Sequence, residues 1–536
     1  MTLGSGRPIH RHGKRAARFL AALVFCLLAN GLAAQEVTVT AREGGLTLRG
    51  DVLGFDGLYL RLRTDAGEVT LDYAAVTCDG AACPDPATHV PDLRLSGAAR
   101  MGEVLMPALI EGFAFAEGYA ARREEDSAIL FSYVISDRAT GQDLHRFSFR
   151  LTTTDEGFAD LLSDAADVAL SVRELRPAER EAGLAAGLGD LALAERSRII
   201  ALDGLVPIVS AAQDRQDIDI DVLSRAYAGE IDNWSEIGGP DREMTLHLVD
   251  ETEGHAQGFV DRVVAVGGAS LSDRVIHHVD AAALAAAVSA DPGALGIVPY
   301  RAYGDARPLA MAGACGRSSA ATLETLKTED YPLTMPLFLY LPIRRLPPVA
   351  AEFLGWLRTE RAQFIVRRAG FVDLGAEPIP VAAQGQRFAG AIEVAGPEIT
   401  LADLQQMVRV LGRRDRLSTT FRFEVGSTRL DAQSRSNVYQ LARAIRDGTY
   451  EGQTLLLAGF SDGVGVAAAN RALSGARAES VLRELVAALG GSLPPRVRVR
   501  TAAFGEALPM GCDDTEWGRQ TNRRVELWVD ATGAAR

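Results

Sequence analysis

The chain has 536 residues, of which 47% are hydrophobic and 24% charged, and its formal net charge is −14. This composition is typical of a globular protein with several hydrophobic cores, and the length suggests about three domains. The acidic balance argues against nucleic acid as a partner, because binding to a phosphate backbone needs a basic surface.

The first 34 residues have the pattern of a secretory signal peptide. Five basic residues and no acidic residue belong to this stretch, which contains the apolar core Phe19–Ala29 and a predicted cleavage site near Ala34. The core is shorter than the roughly 20 residues that a membrane helix needs. We therefore predict an exported mature chain without a transmembrane segment. It would hold 70 acidic and 51 basic residues, a net charge of −19.

Residues 35–92 follow as a segment in which apolar and polar side chains alternate. Pairs such as Val37 and Val39, or Leu60 and Leu62, have the period of two that half-buried strands show, and glycine-containing turns separate them. This pattern predicts a small antiparallel β module, with an SH3-like barrel as the candidate fold, and we assign it no chemistry.

Four cysteines remain after the predicted cleavage. Cys78 and Cys83 are close enough in sequence to form a disulfide in an oxidising compartment. A zinc site is the alternative, but no CxxC pair and no nearby histidine supports it. The pairing of Cys315 and Cys512 stays open at this point, and we predict no metal site.

Residues 93–380 mix helical and strand patterns and contain six ordered motifs. This segment resembles the phosphate-type (PstS-like) periplasmic binding proteins, a resemblance that implies two α/β lobes with a ligand cleft between them. It also implies that the chain crosses into the second lobe near Asp203–Leu205 and returns near Val298–Tyr300. The motifs are Ala166–Arg173, Ala201–Val209, Tyr227–Asp241, Gly296–Tyr300, Tyr331–Thr334 and Gly370–Val372.

The resemblance places six residues at the cleft but argues against an ordinary phosphate site. Phosphate binders of this family use hydroxyls, helix N-terminal amides and one arginine. Here Val249 stands at the arginine position, and a carboxylate about 4 Å from an anion repels it by about 4 kcal/mol at an effective dielectric near 20. We predict an altered or absent phosphate site. A normal anion site, or a protein partner at the cleft, remains an alternative. The assigned residues are Arg100, Thr154, Val172, Glu253, Gly254 and His255.

Residues 381–415 read as a linker with one short helix, Leu401–Leu411, and residues 416–536 as the last domain. The last domain resembles the OmpA-like peptidoglycan-binding domains, which implies a compact α/β fold. The segments that carry the resemblance are Gly459–Asp462, Asn470–Ala478, Phe504–Glu506 with Pro509, Gly518–Arg519 and Asn522–Glu526.

The OmpA resemblance implies a site for the diaminopimelate of the peptidoglycan stem peptide, whose free end carries an ammonium and a carboxylate. Asp462 and Arg477 have the family's separation of an acid from the arginine on the next helix. Arginine suits this role because its planar fork takes a carboxylate by two parallel bonds. An alternative is that the two side chains pair only with each other. Asn470 and Arg524 are the further predicted contacts.

We therefore predict a multidomain chain: a small antiparallel β module, a two-lobed α/β binding-protein fold and a C-terminal α/β domain. No catalytic constellation or cofactor motif is found in a suitable context, so we expect a non-enzymatic protein of the periplasm that is anchored to peptidoglycan. Two alternatives remain. One is the phosphate- or oxyanion-binding component of an ABC transport system, and the other is a cell-envelope signalling or structural interaction module.

Overall fold

The structure is a computed structural model that describes residues 36–250, 254–424 and 426–530. The predicted signal peptide lies outside the described residues. The chain separates into two compact units, with the boundary between Pro91 and Asp92. Within the described part of the chain, no helix is long and apolar enough to cross a membrane.

The first unit is a five-stranded antiparallel sheet with the strand order β4-β3-β2-β1-β5. Its core contains Val37, Val39, Leu60 and Leu62, because alternate side chains of a strand point to the same face. The predicted antiparallel β module is confirmed, although no described pairing joins β4 to β5, and so the sheet stays open. The strands are β1 (Glu36–Ala41), β2 (Thr47–Phe55), β3 (Tyr59–Thr64), β4 (Gly67–Asp72) and β5 (Val76–Asp79).

The second unit begins with lobe one of the predicted two-lobed fold, which is confirmed. Strand β6 pairs in parallel with β10 on one side and with β9 on the other, whereas β9 pairs antiparallel with β8. Helices pack on this sheet. The helices of lobe one are α1 (Met106–Glu117), α2 (Thr154–Leu162), α3 (Pro177–Ala185), α8 (Pro348–Trp356) and α9 (Glu360–Arg368). Its strands are β6 (Asp92–Ala98), β7 (Tyr119–Glu125), β8 (Leu130–Asp137), β9 (Asp143–Thr152) and β10 (Val168–Ser171).

Two long strands, β11 (Ser197–Val209) and β19 (Thr334–Tyr340), connect the lobes. The first half of β11 pairs with β19 and its second half pairs with β15 of lobe two. The crossing predicted at Asp203–Leu205 therefore lies within β11. The return predicted at Val298–Tyr300 is wrong, because the chain turns back into lobe two at Arg301 (φ 67°) and returns only at β19.

Lobe two lies between the two crossings and is built around parallel pairings of β13 with β14 and β15. Its helices are α4 (Ile220–Tyr227), α5 (His255–Phe259), α6 (Ala281–Ala290) and α7 (Leu323–Lys327). Its strands are β12 (Asp217–Asp219), β13 (Thr245–Val249), β14 (Ile276–His278), β15 (Ala294–Pro299), β16 (Arg307–Pro308), β17 (Ala310–Ala312) and β18 (Ser318–Ser319).

The C-terminal domain is a five-stranded mixed sheet with the order β20-β21-β24-β22-β23. Alternate residues of β22 fill two cores: Leu455 and Leu457 face α12 and α13, and Leu456 and Ala458 face α10 and α11. The strands are β20 (Pro378–Ile379), β21 (Arg414–Arg422), β22 (Thr454–Gly459), β23 (Arg498–Ala503) and β24 (Arg524–Asp530). The helices are α10 (Gly385–Glu393), α11 (Leu401–Leu411), α12 (Ala432–Arg446), α13 (Ala467–Ala488) and α14 (Glu516–Asn522).

Residues 381–415, predicted as a linker with one short helix, belong to this C-terminal domain. They carry two helices, and Leu404, Met407 and Leu411 of α11 are buried in the second core. Helical spacing of these apolar residues puts them on one face, which packs on the sheet. The other domain limits that we drew from the sequence remain predictions.

Lobe two and the C-terminal domain are joined by a covalent bond and by buried charges. Cys315 and Cys512 form a disulfide. Asp330 of lobe two accepts from Arg416 of β21 at 2.7 Å, and both side chains are buried. Arg416 lies 3.6 Å from Glu526 of β24, so the ion pairs continue into the sheet. These contacts fix the C-terminal domain against the second lobe.

Candidate functional site

The predicted wall site lies at the carboxyl end of β22. Gly459 ends this strand, and a Cβ at this position would lie 2.1 Å from the carbonyl oxygen of Ser474 on α13. Only glycine therefore lets α13 approach the strand this closely. The approach brings the loop residue Asp462 to the same edge as Arg477, which lies on α13.

Asp462 forms an ion pair with Arg523, the residue that precedes β24. The Oδ2 atom of Asp462 accepts from Nη1 of Arg523 at 3.0 Å, and the side chains are 14% and 13% exposed. Arg523 also pairs with Glu516. Burial lowers the pKa of Arg523, but hydrogen bonds to Glu516 and Asp462 outweigh it and raise the pKa above its ordinary value. The sequence analysis placed Arg523 in a segment that resembles the OmpA-like family but did not assign it to the site.

Arg477 is buried, with 2% of its surface exposed, yet its guanidinium is largely unpaired. Its Nε and Nη1 atoms have no hydrogen-bond partner among the described residues. The guanidinium carbon lies 5.3 Å from the ring centre of Phe423. Burial and the charge of Arg523 lower the pKa of Arg477, and Asp462 partly opposes them. Buried donors without acceptors are rare in proteins. Nε and Nη1 of Arg477 are therefore candidate donors to an acceptor from outside the chain.

The two further predicted contacts differ in their surroundings. Asn470, on α13, donates from Nδ2 to Oε2 of Glu506 at 2.5 Å. Arg524 is fully buried and donates from Nε to Oε1 of Glu526 at 2.8 Å and from Nη2 to the carbonyl of Leu508 at 2.9 Å. Of the two neighbouring arginines, Arg523 pairs with Asp462, whereas the bonds of Arg524 go to Glu526 and Leu508.

The cleft of the two-lobed domain contains a buried carboxylate that sequence reasoning missed. Asp203, on the crossing strand β11, has no exposed surface. It accepts from Nε2 of His255 at 3.0 Å and from Nε of Arg100 at 3.3 Å. The backbone amides of Gly204 and Tyr300 donate to its other oxygen at 2.8 and 3.1 Å.

These donors keep Asp203 ionised. Burial raises its pKa, but the hydrogen bond from His255 and the charges of His255 and Arg100 outweigh burial and hold the pKa of Asp203 below its usual range. Because Arg100 comes from lobe one and His255 from lobe two, the carboxylate joins the two lobes at the cleft. A zinc or other metal is not suggested, since no described group of three His, Cys, Asp or Glu residues could hold one.

The remaining predicted cleft residues are packed against one another. A Cβ added at Gly254 would lie 3.3 Å from Cβ of Ala98 and 3.4 Å from Cγ2 of Val172, so the start of α5 meets lobe one directly. Thr154 is buried and accepts from the backbone amide of Val172 at 3.3 Å. The predicted contact Glu253 lies outside the described residues.

Ion pairs across the lobes accompany this packing. Arg176 of lobe one donates from Nη2 to Oδ2 of Asp261 of lobe two at 2.6 Å, and Nε of Arg173 lies 3.6 Å from the same oxygen. Both arginines also pair with Asp155 of lobe one. The two lobes therefore contact each other directly through these ion pairs.

Comparison with known proteins agrees with these two folds. A family model described as a PBP superfamily domain matches residues 131–361, and the OmpA family model matches residues 422–523. Phosphate-binding protein PstS of Bacillus subtilis is 27% identical over 177 residues. The match covers 33% of this chain and 56% of that relative, so the chain spans just over half of the relative's length.

Two of the solved structures that are similar to this chain cover different shares of it. An ABC-type phosphate transport receptor from Vibrio cholerae is 16% identical with a TM-score of 0.41, and the match covers 52% of this chain and 99% of that one. The peptidoglycan-associated lipoprotein from Burkholderia pseudomallei is 24% identical with a TM-score of 0.18, over 20% of this chain and 88% of that one.

Fold and geometry define a two-lobed binding-protein domain followed by an α/β domain with a partly buried acid–arginine site. The chain accordingly joins a domain of the PBP superfamily, PstS-like in sequence, to a C-terminal domain of the OmpA family.

Proposed function

We propose that this chain is a non-enzymatic periplasmic protein that binds peptidoglycan through its C-terminal domain and holds a PstS-like domain whose phosphate site is altered or lost. Binding of the diaminopimelate end of a stem peptide would use Asp462 for the ammonium and Arg477 for the carboxylate. Arg523 would support Asp462 and add a second guanidinium at the rim, and Asn470 would line the site from α13. Arg524 is left out, because it has no exposed surface.

The observation that carries this proposal is the buried, unpaired guanidinium of Arg477 beside an acid that is still partly exposed. A guanidinium without acceptors destabilises the domain unless a ligand supplies them, since a lost hydrogen bond to a buried donor costs about 1–3 kcal/mol. The unpaired nitrogens Nε and Nη1 point to different sides of the guanidinium, so a ligand carboxylate would accept from one of them, and the other would need a second acceptor.

The proposal that the phosphate site is altered or lost rests on the hydrogen bonds and ion pairs that the protein itself makes in the cleft. Asp203 already occupies the donors of Arg100, His255 and two backbone amides, which an oxyanion would otherwise use. The ion pairs to Asp261 and the contact of Gly254 with Val172 bring the two lobes into direct contact across the cleft. The sequence similarity to a phosphate-binding protein favours oxyanion capture as the second candidate function.

Co-sedimentation of the mature chain with purified sacculi tests the wall proposal. We expect Asp462→Ala and Arg477→Ala each to weaken binding at least about tenfold, or about 1.4 kcal/mol, because each removes one half of the zwitterion site. Matched controls are Asp447→Ala and Arg483→Ala, which remove an exposed acid and an exposed arginine of the same domain. Wild-type binding by both site variants, or equal losses in the controls, would overturn the assignment.

A further inference from the structure

A cavity of about 240 Å³ lies where lobe one, lobe two and the C-terminal domain meet. The charged groups that line it come from all three parts of the unit. Arg100, His255, Asp462 and Arg477 do not line it, so it is separate from the cleft and from the wall site. Its charged lining residues are Arg173 and Glu174 of lobe one, Arg262 and Glu329 of lobe two, and Arg422 and Asp431 of the C-terminal domain.

Acceptor atoms in this cavity lack donors. Gln433 lines the cavity, is 3% exposed, and donates from Nε2 to Asn437, but its Oε1 has no partner among the described residues. Oε1 of Glu329 is also buried without a partner there. Buried acceptors of this kind are normally satisfied, so a donor from outside the chain would fit here.

Arg262 and Arg422, two of the three arginines that line the cavity, donate to backbone carbonyls. Arg262 donates to the carbonyl of Thr334 at 2.5 Å. Arg422 donates to the carbonyls of Gln520 and Thr521 at 3.1 and 2.9 Å. These carbonyls hold the guanidinium groups in place, and no described ion pair joins an arginine to the carboxyl group of Glu174, Glu329 or Asp431.

The carboxyl groups repel each other as a result. Burial, then the charge of Asp431, raises the pKa of Glu329 to about 8 and that of Glu174 to about 7. The charged groups facing them are Asp431, Asp330 and Arg422 around Glu329, and Asp431, Arg435 and Arg262 around Glu174. A cation placed among the three carboxyl groups would relieve this repulsion.

We propose that the cavity binds a small organic cation with a primary ammonium group, held by Glu174, Glu329 and Asp431 and by Oε1 of Gln433. An ammonium group has three donors and no acceptor, which matches a set of acceptors spread over several elements. The described carboxylates are not grouped to hold a metal ion. At roughly 30 Å³ per water molecule, the volume equals about eight waters, which suits a short amine.

The ammonium could belong to a free amine or to a cell-wall peptide, and the same chemistry serves both. Binding should tighten as pH rises. The carboxyl groups of Glu174 and Glu329 are largely neutral at pH 6 and ionise as pH passes about 7 and 8, and only the ionised forms attract a cation strongly.

Isothermal titration of the mature chain with putrescine, L-lysine and meso-diaminopimelate at pH 6 and pH 8.5 tests the proposal. We expect putrescine to bind more tightly at pH 8.5, and Glu329→Gln and Asp431→Asn each to weaken it at least tenfold. Asparagine caps a helix as well as aspartate does, so α12 keeps its N-cap in the second variant. Glu324→Gln, an exposed glutamate on the neighbouring helix α7, is the matched control and should bind like wild type.

Other results would overturn the proposal. It fails if none of the three amines binds, if both cavity variants bind putrescine as wild type does, or if affinity does not rise with pH. Titration of the Asp462→Ala variant with putrescine distinguishes this site from the wall site. We expect this variant to bind putrescine as wild type does. Loss of binding would assign the amine to the wall site. Preference for meso-diaminopimelate over putrescine would point to the cell-wall peptide as the source.

Discussion

At the scale of residues, Asp203 is the side chain that organises the hydrogen bonds of the cleft. A carboxylate on the crossing strand takes four N–H donors at the point where both lobes meet. Charge-assisted hydrogen bonds to a fixed internal carboxylate need no ligand, and a second anion beside it would be repelled. The same charges that close the lobes therefore act against phosphate.

This account predicts that phosphate does not bind the cleft. In isothermal titration of the mature chain, we expect no saturable heat up to about 1 mM phosphate, which corresponds to binding weaker than about −4 kcal/mol. Arg138→Ala, which changes an exposed arginine of lobe one, serves as the control for Arg100→Ala. Tight phosphate binding by wild type and the control, lost in Arg100→Ala, would instead establish oxyanion capture.

Sequence reasoning at the residue level works from local motifs and cannot see partners that come from distant elements. The apolar run Leu455–Ala458 and the spacing of Asp462 and Arg477 are local properties of the sequence. Asp203 is bonded by His255 and Arg100, which lie about 50 and about 100 positions away in the sequence. Arg523 pairs with Asp462, about 60 positions away. No local pattern marks such pairs, so the charge balance of the cleft could not be derived from the sequence.

At the scale of elements, the attachment of the C-terminal sheet to lobe two depends on β21 and on one disulfide. The Arg416–Asp330 pair is buried, and Arg416 continues to Glu526. Burial raises the pKa of Glu526, but the charges of Arg387, Arg416 and Arg524 outweigh it and lower the pKa to about 2. Removing one partner of such a network leaves an uncompensated buried charge, which is strongly destabilising.

Loss of the Cys315–Cys512 disulfide should loosen this attachment. The bond closes a loop with a sequence separation of 197 residues, for which chain entropy predicts a stabilisation of roughly 5 kcal/mol. We expect the double variant Cys315→Ser with Cys512→Ser to lower the melting temperature and to expose the junction to limited proteolysis. The double serine variant of Cys78 and Cys83, whose sequence separation is 5, is the control. Unchanged melting in the first variant would contradict this role.

The element scale also marks the limit of sequence-based reasoning about linkers. Glycines in residues 381–415 suggested a flexible connection, yet α10 and α11 pack on the C-terminal sheet. The apolar face of a packed helix lies against another element, whereas a flexible linker has no such partner. Whether a partner is present depends on the tertiary structure. The apolar face of α11 was visible in the sequence, but its partner, the outer face of β22 and β24, was not.

At the scale of the whole molecule, our proposal places two binding functions in one compact unit, which begins at Asp92. The wall site faces a different part of the C-terminal domain from the cavity at the junction, and the cleft is closed by its own charges. In our proposal, the C-terminal domain fixes the two-lobed domain near the cell wall. The proposed amine would bind at the junction of the same lobes and the C-terminal domain.

The most direct test compares two soluble stem peptides that differ at one residue, diaminopimelate or L-lysine, in titrations with the mature chain. Lysine keeps the ammonium and lacks the second carboxylate that Arg477 would bind. We predict that the diaminopimelate peptide binds at least about tenfold more tightly, a difference of about 1.4 kcal/mol, and that Arg477→Ala abolishes this preference. Equal affinity of wild type for both peptides would contradict wall anchoring through Asp462 and Arg477.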